Sequence, residues 1–160
     1  MVPTRLTEYL DGNNIKYVII SHAPAFTAQG IASLTHIPGK ELAKTVIVRL
    51  DGALVMAVLP AKFHVDLELL RKAVGAKTVA IASEDDFKDR FPDCETGAMP
   101  PFGSLFGMTV FADESLEQDA EIAFNAGSHR DLVRMAWEDF KKLAQPRVVR
   151  FAAGRPAQAA

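Results

Sequence analysis

The sequence predicts a single domain of the α/β (α+β) class, a mixed β-sheet that is curved or partly closed and surrounded by short helices. Two apolar runs, Thr45–Leu50 and Ala53–Leu59, are separated only by Asp51-Gly52, the two-residue signature of a tight antiparallel hairpin. Strand-like runs recur at Tyr17–Ile20, Thr78–Ala82, Met108–Ala112, Glu121–Asn125, Leu132–Ala136 and Arg147–Phe151. The helical patterns between them are short and irregularly placed, which does not suit a doubly wound parallel sheet.

Each element has a local cause. Thr4–Leu10 puts Leu6 and Leu10 on one helical face, and Gly12 stops the helix. Tyr17–Ile20 is rich in β-branched and aromatic residues. His22-Ala23-Pro24 turns the chain, Thr27 is placed to cap a helix running to about Thr35, and Pro38-Gly39 breaks it. Val65–Val74 reads as an amphipathic helix with Val65, Leu67, Leu69, Leu70 and Val74 apolar, ended by Gly75. Ser83 and Asp86 have capping-box spacing for a helix reaching about Phe91. A last helix covers about Glu138–Leu143, with Trp137 as a core anchor at its start.

Composition narrows the class. The chain has 160 residues, 49% hydrophobic and 24% charged, with a formal charge of −2. This is enough for one domain with a core, expected over residues 1–153, followed by a frayed tail at 154–160. The charge balance argues against coating nucleic acid through bulk charge, and no DNA partner is expected. It leaves room for a local grip on a few phosphates. Lys40, Lys44, Arg49, Lys62, Arg130 and Arg134 could supply one if they share a face; otherwise they are ordinary surface charges. No membrane span or secretory leader is expected, and the single cysteine, Cys94, fits a cytoplasmic protein.

Three segments could carry chemistry. Thr96–Gly103 combines Pro100 and Pro101 with Gly97 and Gly103, which makes either a rigid surface turn or a loop whose amides meet a carbonyl or phosphate oxygen. Lys44 begins a strand after the Pro38–Ala43 loop; it either projects over a pocket mouth or is a solvated flanking lysine. Asn125 and His129 lie where a strand runs into a small-residue turn, offering an amide and an imidazole or simply turn chemistry. His22, His36, His64 and His129 show no short metal-ligand spacing, so no metal and no cofactor is expected. Cys94 lies between Asp93 and Glu95, which disfavours a thiolate nucleophile.

These pieces, in order, resemble the YbaK/ProX family of free-standing aminoacyl-tRNA deacylases, related to the editing domain of bacterial prolyl-tRNA synthetases. The matching segments are His22-Ala23-Pro24, Ala43–Val48, Val58-Leu59-Pro60 with Val65-Asp66-Leu67, Gly97–Gly103 and Phe124–Gly127. The chain departs from many relatives in having Pro100 before Pro101, and Ala28-Gln29-Gly30 where an acidic residue is common. The resemblance implies a YbaK-like barrel and a metal-independent hydrolase. Its substrate would be mischarged tRNA carrying a small amino acid of the Ala, Ser, Cys, Pro or Thr class. Lys44, Gly97, Ala98 and Met99 would be the catalytic group, through one cation and loop amides. His22, Pro100, Pro101, Phe102, Gly103, Asn125, Gly127 and His129 would bind substrate. The implied partners are the aminoacylated 3′ end of tRNA and a synthetase. The competing expectations are a tRNA 3′-end binding module without turnover and a hydrolase for another small activated ester.

Overall fold

A computed structural model describes residues 2–24, 28–35 and 37–154. The proposed Thr27 cap, His36 and the tail from Arg155 onward lie outside the described residues.

Helix α1 (Thr4–Gly12) buries Leu6 and Leu10 and leads to strand β1 (Tyr17–Ser21). Helix α2 (Ala28–Thr35) precedes the hairpin of β2 (Leu42–Leu50) and β3 (Ala53–Pro60). The hairpin turn has φ +48° at Asp51 and +90° at Gly52, the twist-matched geometry that the Asp-Gly pair predicts. Asp51 Oδ1 also accepts the N–H groups of Lys77 and Thr78 at 2.9 and 2.8 Å.

The next stretch differs in its start. Val65 is not helical; with His64 it forms β4 (His64–Val65), and helix α3 runs Leu67–Val74. Asp66 is the reason: its side chain accepts the Leu69 N–H at 3.0 Å as an N-cap, which fixes the first turn two residues later than apolar periodicity suggests. Gly75 closes the helix at φ +72°. Strand β5 (Val79–Ile81) follows, then α4 (Glu84–Phe87) with the full Ser83/Asp86 capping box. The helix stops at Phe87 rather than Phe91. Phe91 precedes Pro92, and a residue before proline is pushed out of the helical region.

Strand β6 (Val110–Asp113), β7 (Glu121–Ser128), β8 (Asp131–Ala136), helix α5 (Trp137–Ala144), β9 (Arg147–Val149) and β10 (Ala152–Ala153) complete the chain. Trp137 is 2% exposed and opens α5 as a core anchor. The last strand is divided because Asp113 Oδ1 takes the N–H groups of Phe151 and Ala152, both at 2.9 Å.

The sheet order is β1-β8-β7-β2-β3-β6-β9, with β5 also on β2 and a separate β10-β4 pair. Pairings β2·β7, β3·β6 and β6·β9 are parallel and the others antiparallel, so the sheet is mixed, as the sequence predicts. It curls around an inner core that includes Leu6, Leu10, Met56, Val58, Phe102, Phe124 and Phe140. Two apolar groups cover the outer face. One gathers Leu42, Ala123 and Leu132 under Ile31 and Ile37; the other gathers Val48, Leu59 and Phe111 under Leu70 and Phe151. Among the described residues no helix is long and apolar enough to cross a membrane.

Candidate active site

Strand β2 positions the site through an interrupted edge. Strand β3 pairs with β2 along one whole edge, from Ala43↔Pro60 to Leu50↔Ala53. On the other edge β2 changes partner. Leu42 and Ala43 pair with Ala123 and Phe124 of β7, whereas Val48–Leu50 pair with β5. Between the two, Lys44–Val46 have no strand neighbour on that side among the described residues. The sheet splits there, and Lys44 stands at the fork.

Side chains alternate along a strand, so Lys44 shares a face with Leu42 and Val48, both in the outer apolar groups. Asn125 shares the outer face with Ala123 by the same alternation, one residue past Phe124. Lys44 and Asn125 therefore follow the Ala43–Phe124 pair on the same outer face, between the two outer groups. Lys44 is half-buried, and burial pushes its ammonium below the ordinary lysine range. Among the described residues no carboxylate pairs with it. Asn125 Oδ1 is buried without a hydrogen-bond donor among the described residues. A buried amide oxygen left unpaired costs about 1–3 kcal/mol, which a ligand donor would recover.

Three other segments reach the same end of the sheet. Ser21 pairs with Asp131, and the His22 N–H donates to Arg130 O at 2.8 Å, so His22 sits beside the β7–β8 turn. Its Nδ1 lies 2.6 Å from Ala23 O and donates to it, and its Nε2 is buried with no partner among the described residues. Asp131 ties β1, β7 and β8 together, accepting from Ser21 Oγ and Ser128 Oγ, each at 2.8 Å. Sequence reading missed this clamp, although the Ser128-x-x-Asp131 spacing across a tight turn was visible.

The Gly97 loop is bound to the end of β7, which runs through Gly127 as a bulged strand rather than ending in a turn at Ala126. Glu95 N–H donates to Gly127 O and Gly127 N–H to Ala98 O, both at 2.8 Å. His129 completes the attachment: its N–H donates to Glu95 Oε1 at 2.7 Å, and its Nε2 lies 2.9 Å from Thr96 O. The imidazole is thus committed to the loop rather than presented as a free base. Glu95, overlooked in the sequence, receives it.

The loop itself is less open than its composition suggests. Ala98 N–H donates to Glu95 O and Phe102 N–H to Pro100 O, while Pro100 and Pro101 have none to give. Gly97 N–H faces only Met99 Sδ at 3.3 Å, a weak acceptor that a carbonyl oxygen can replace. Phe102 is 0% exposed, with ring centroids 5.5 Å from Phe124 and 5.4 Å from Phe140, so it supports the loop from behind instead of lining a pocket. Met99 and Ala98 are also buried. Gly103 and Gly127 are packing positions. A Cβ at Gly103 would overlap Met108 O, and one at Gly127 would lie 2.6 Å from Pro3.

The six basic residues do not share one face. Arg134 is held by Glu41 at 2.9 Å and Glu121 at 3.2 Å, and Arg49 by Asp86 at 3.2 Å beside the hairpin turn. Cys94 carries no nucleophile: burial, then Asp93, pushes its thiol up to about 11.

The sequence profile of the aminoacyl-tRNA editing domain matches residues 22–143, a span that takes in His22, Lys44, the Gly97 loop and the β7–β8 turn. The chain belongs to this family. It is similar to the multifunctional Ser/Thr-tRNA deacylase ProXp-y of Escherichia coli K12, 28% identical over 152 residues, which cover 92% of this chain and 90% of the relative. Among solved structures, that of the hypothetical protein APE2540 superposes with a TM-score of 0.83 at 16% identity, covering 93% of this chain and 99% of that one. A crystal structure described as a candidate trans-editing enzyme for prolyl tRNA synthetase gives a TM-score of 0.79 at 20% identity, covering 94% and 96%. The family and its fold agree with the resemblance read from the sequence.

Proposed function

We propose that this member of the editing family hydrolyses, in trans, the ester joining a small amino acid of the Ala, Ser, Cys, Pro or Thr class to the 3′ end of a mischarged tRNA. One observation carries the reading. A half-buried ammonium with no carboxylate partner among the described residues, Lys44, stands beside the buried, undonated oxygen of Asn125 where the sheet forks. The similarity to a protein named a Ser/Thr-tRNA deacylase supports both the reaction and a small cargo.

The chemistry asks little of the protein. An aminoacyl ester is already activated, so a positioned water and one or two donors suffice. Lys44 meets the terminal phosphate or the ester carbonyl. Gly97 N–H turns from Met99 Sδ to the oxygen that gains charge. Asn125 Oδ1 accepts from the substrate ammonium or a side-chain hydroxyl, and His22 Nε2 accepts from a ribose hydroxyl. Water bonds to the carbonyl carbon, the ester C–O bond breaks, and the ribose oxygen takes the proton. No protein nucleophile enters, and the high thiol pKa of Cys94 is consistent with that.

A panel of tRNAs charged with each small amino acid tests the proposal. At least one should be deacylated, in the presence of EDTA as well as without it, and Lys44→Ala should lower the rate by about 10²–10³ with the fold retained. Binding without hydrolysis across the panel would refute the proposal in favour of a non-catalytic module.

A further inference from the structure

Strand β1 ends the sheet, and its far edge has no strand partner among the described residues. Such an edge is a template for another strand, and proteins blunt it with charges, proline, a bulge or a covering element. Strand β1 has none of these. Tyr17-Val18-Ile19-Ile20-Ser21 contains no charge and no proline, and its pairing with β8 runs unbroken from Tyr17↔Met135 to Ser21↔Asp131. Val18, Ile19 and Ser21 are exposed, the first two by 59% and 43%, so no described element covers the strand. Tyr17 Oη donates to Asp11 Oδ1 at 2.9 Å, which fixes the strand's start. The other edges offer less. Strands β9 and β5 have three residues each, and β9 begins with Arg147.

One hydrogen bond gives the direction of every backbone group on this edge. In an antiparallel pair the N–H and C=O of a residue point the same way, and the direction alternates along the strand. The His22 N–H donates to Arg130 O at 2.8 Å, toward β8, so Ile20 and Val18 also face β8. Tyr17, Ile19 and Ser21 send their groups outward, where no described residue bonds to them. This outward row is its own complement. A second β1, turned about a two-fold axis at Ile19, sets Ile19 against Ile19 and Tyr17 against Ser21, and every outward N–H then meets an outward C=O. Val18 faces Ile20 of the second copy, and no like charges meet within the strand. Both exposed apolar side chains leave water, the burial that drives association. A slip of two residues is worse, because it brings Ser21 against Ile15, whose N–H is already taken by Leu10 O at 3.0 Å.

We infer that β1 pairs antiparallel with β1 of a second copy of this chain about a two-fold axis at Ile19, joining the two sheets into one. A contact of this kind uses the same patch on both copies and closes on itself, so assembly stops at the dimer. The same register sets Lys16 of each copy across from His22 of the other, at the rim of the candidate site. The pairing is independent of the reaction at the fork.

Sedimentation equilibrium of the full chain tests the pairing. Wild type should show a monomer–dimer equilibrium at micromolar concentration. Ile19→Lys puts two ammonium groups face to face on the axis, and Ile19→Pro removes an outward N–H without touching the β8 ladder. Each should raise the dimer Kd by about tenfold or more while circular dichroism keeps the native spectrum. Cysteine cross-linking in a Cys94→Ala background reads the register in otherwise unaltered strands. Facing residues between the hydrogen-bonded pairs lie about 4.5 Å apart, within reach of a disulfide. A mixture of Val18→Cys and Ile20→Cys should therefore oxidise to a mixed dimer, identified by mass spectrometry of the linked peptides, in higher yield than either variant alone. Wild type that stays monomeric to about 1 mM would leave the edge to a strand from another protein and overturn the inference. A dimer indifferent to Ile19→Lys, or cross-linking as strong in the single variants as in their mixture, would overturn it as well.

Discussion

Lys44 and Asn125 stand side by side one residue past the Ala43–Phe124 pair of two parallel strands, where β2 loses its β7 neighbour and has not yet gained β5. Each carries a cost of burial: a desolvated ammonium and an amide oxygen with no donor. Neither is explained by packing. A site kept at the expense of stability is the usual mark of function, and it can be measured.

Replacing Lys44 by Met should separate the two roles. The methionine keeps the apolar stem and removes the charge, so deacylation should fall by about 10²–10³ while the melting temperature holds or rises. The sign follows from the lowered pKa. Below the folded-state pKa the ammonium is charged in both states and its desolvation opposes folding. As pH rises through that pKa toward the unfolded value of 10.5, the penalty is relieved. The gain from Lys44→Met should thus be largest near neutral pH and shrink in alkaline buffer. A lower melting temperature at neutral pH would mean that the ammonium is structural.

Asn125→Asp tests the neighbour relation. If the Lys44 ammonium is the active form, the enzymatic rate, corrected for spontaneous ester hydrolysis, is full below its folded pKa and falls as pH rises through it. A carboxylate at 125 favours the charged lysine, so the alkaline limb should move to higher pH. Asn125→Leu should leave the limb in place and raise KM instead. An unmoved limb in Asn125→Asp would mean that the two side chains do not sense each other.

Sequence patterns reveal the elements and the outline of the site for a physical reason: they are local. The Asp51-Gly52 turn, the Ser83/Asp86 box and Gly75 each act within a few residues, and all three are present. The misreadings have distant causes. Val65 left the helix because Asp66 capped it and Ala152 paired with Val65. The turn read at Ala126-Gly127 became a bulged strand because Ala98 and Glu95 bond to Gly127. The segments named for the site do gather at one end of the sheet, but motif order could not assign their tasks. Phe102 faces the core, His129 holds the loop, and of the six cations Lys40, Arg49 and Arg134 are held in ion pairs.

Cys94 offers a negative control that is still informative. Burial, then Asp93, pushes its thiol to about 11, so little thiolate exists near neutral pH. Cys94→Ala should keep wild-type deacylation, and iodoacetamide at pH 7.5 should neither label the folded protein quickly nor inactivate it. Rapid inactivation that Cys94→Ala abolishes would make the thiol part of the reaction.

Three glycines should respond to alanine in a fixed order. At Gly52 the added Cβ meets open space and only φ +90° is strained, so Gly52→Ala should cost about 1–2 kcal/mol. Gly127 adds a contact to its φ of +94°: Pro3 lies 2.6 Å from the new carbon, and α1 must shift to admit it. Gly127→Ala should cost about 2–4 kcal/mol and also slow deacylation, because the same residue carries two of the hydrogen bonds that hold the Gly97 loop. Gly103→Ala should be the worst of the three. Its Cβ would overlap the Met108 carbonyl oxygen and press Val110 Cγ2 at 2.8 Å, and backbone in a buried strand entry has no flexible end to yield. Urea unfolding of the three variants checks the ranking. Equal stability of Gly103→Ala and Gly52→Ala would show that the segment behind the loop is free to move, and the rigid loop on which the site depends would be lost with it.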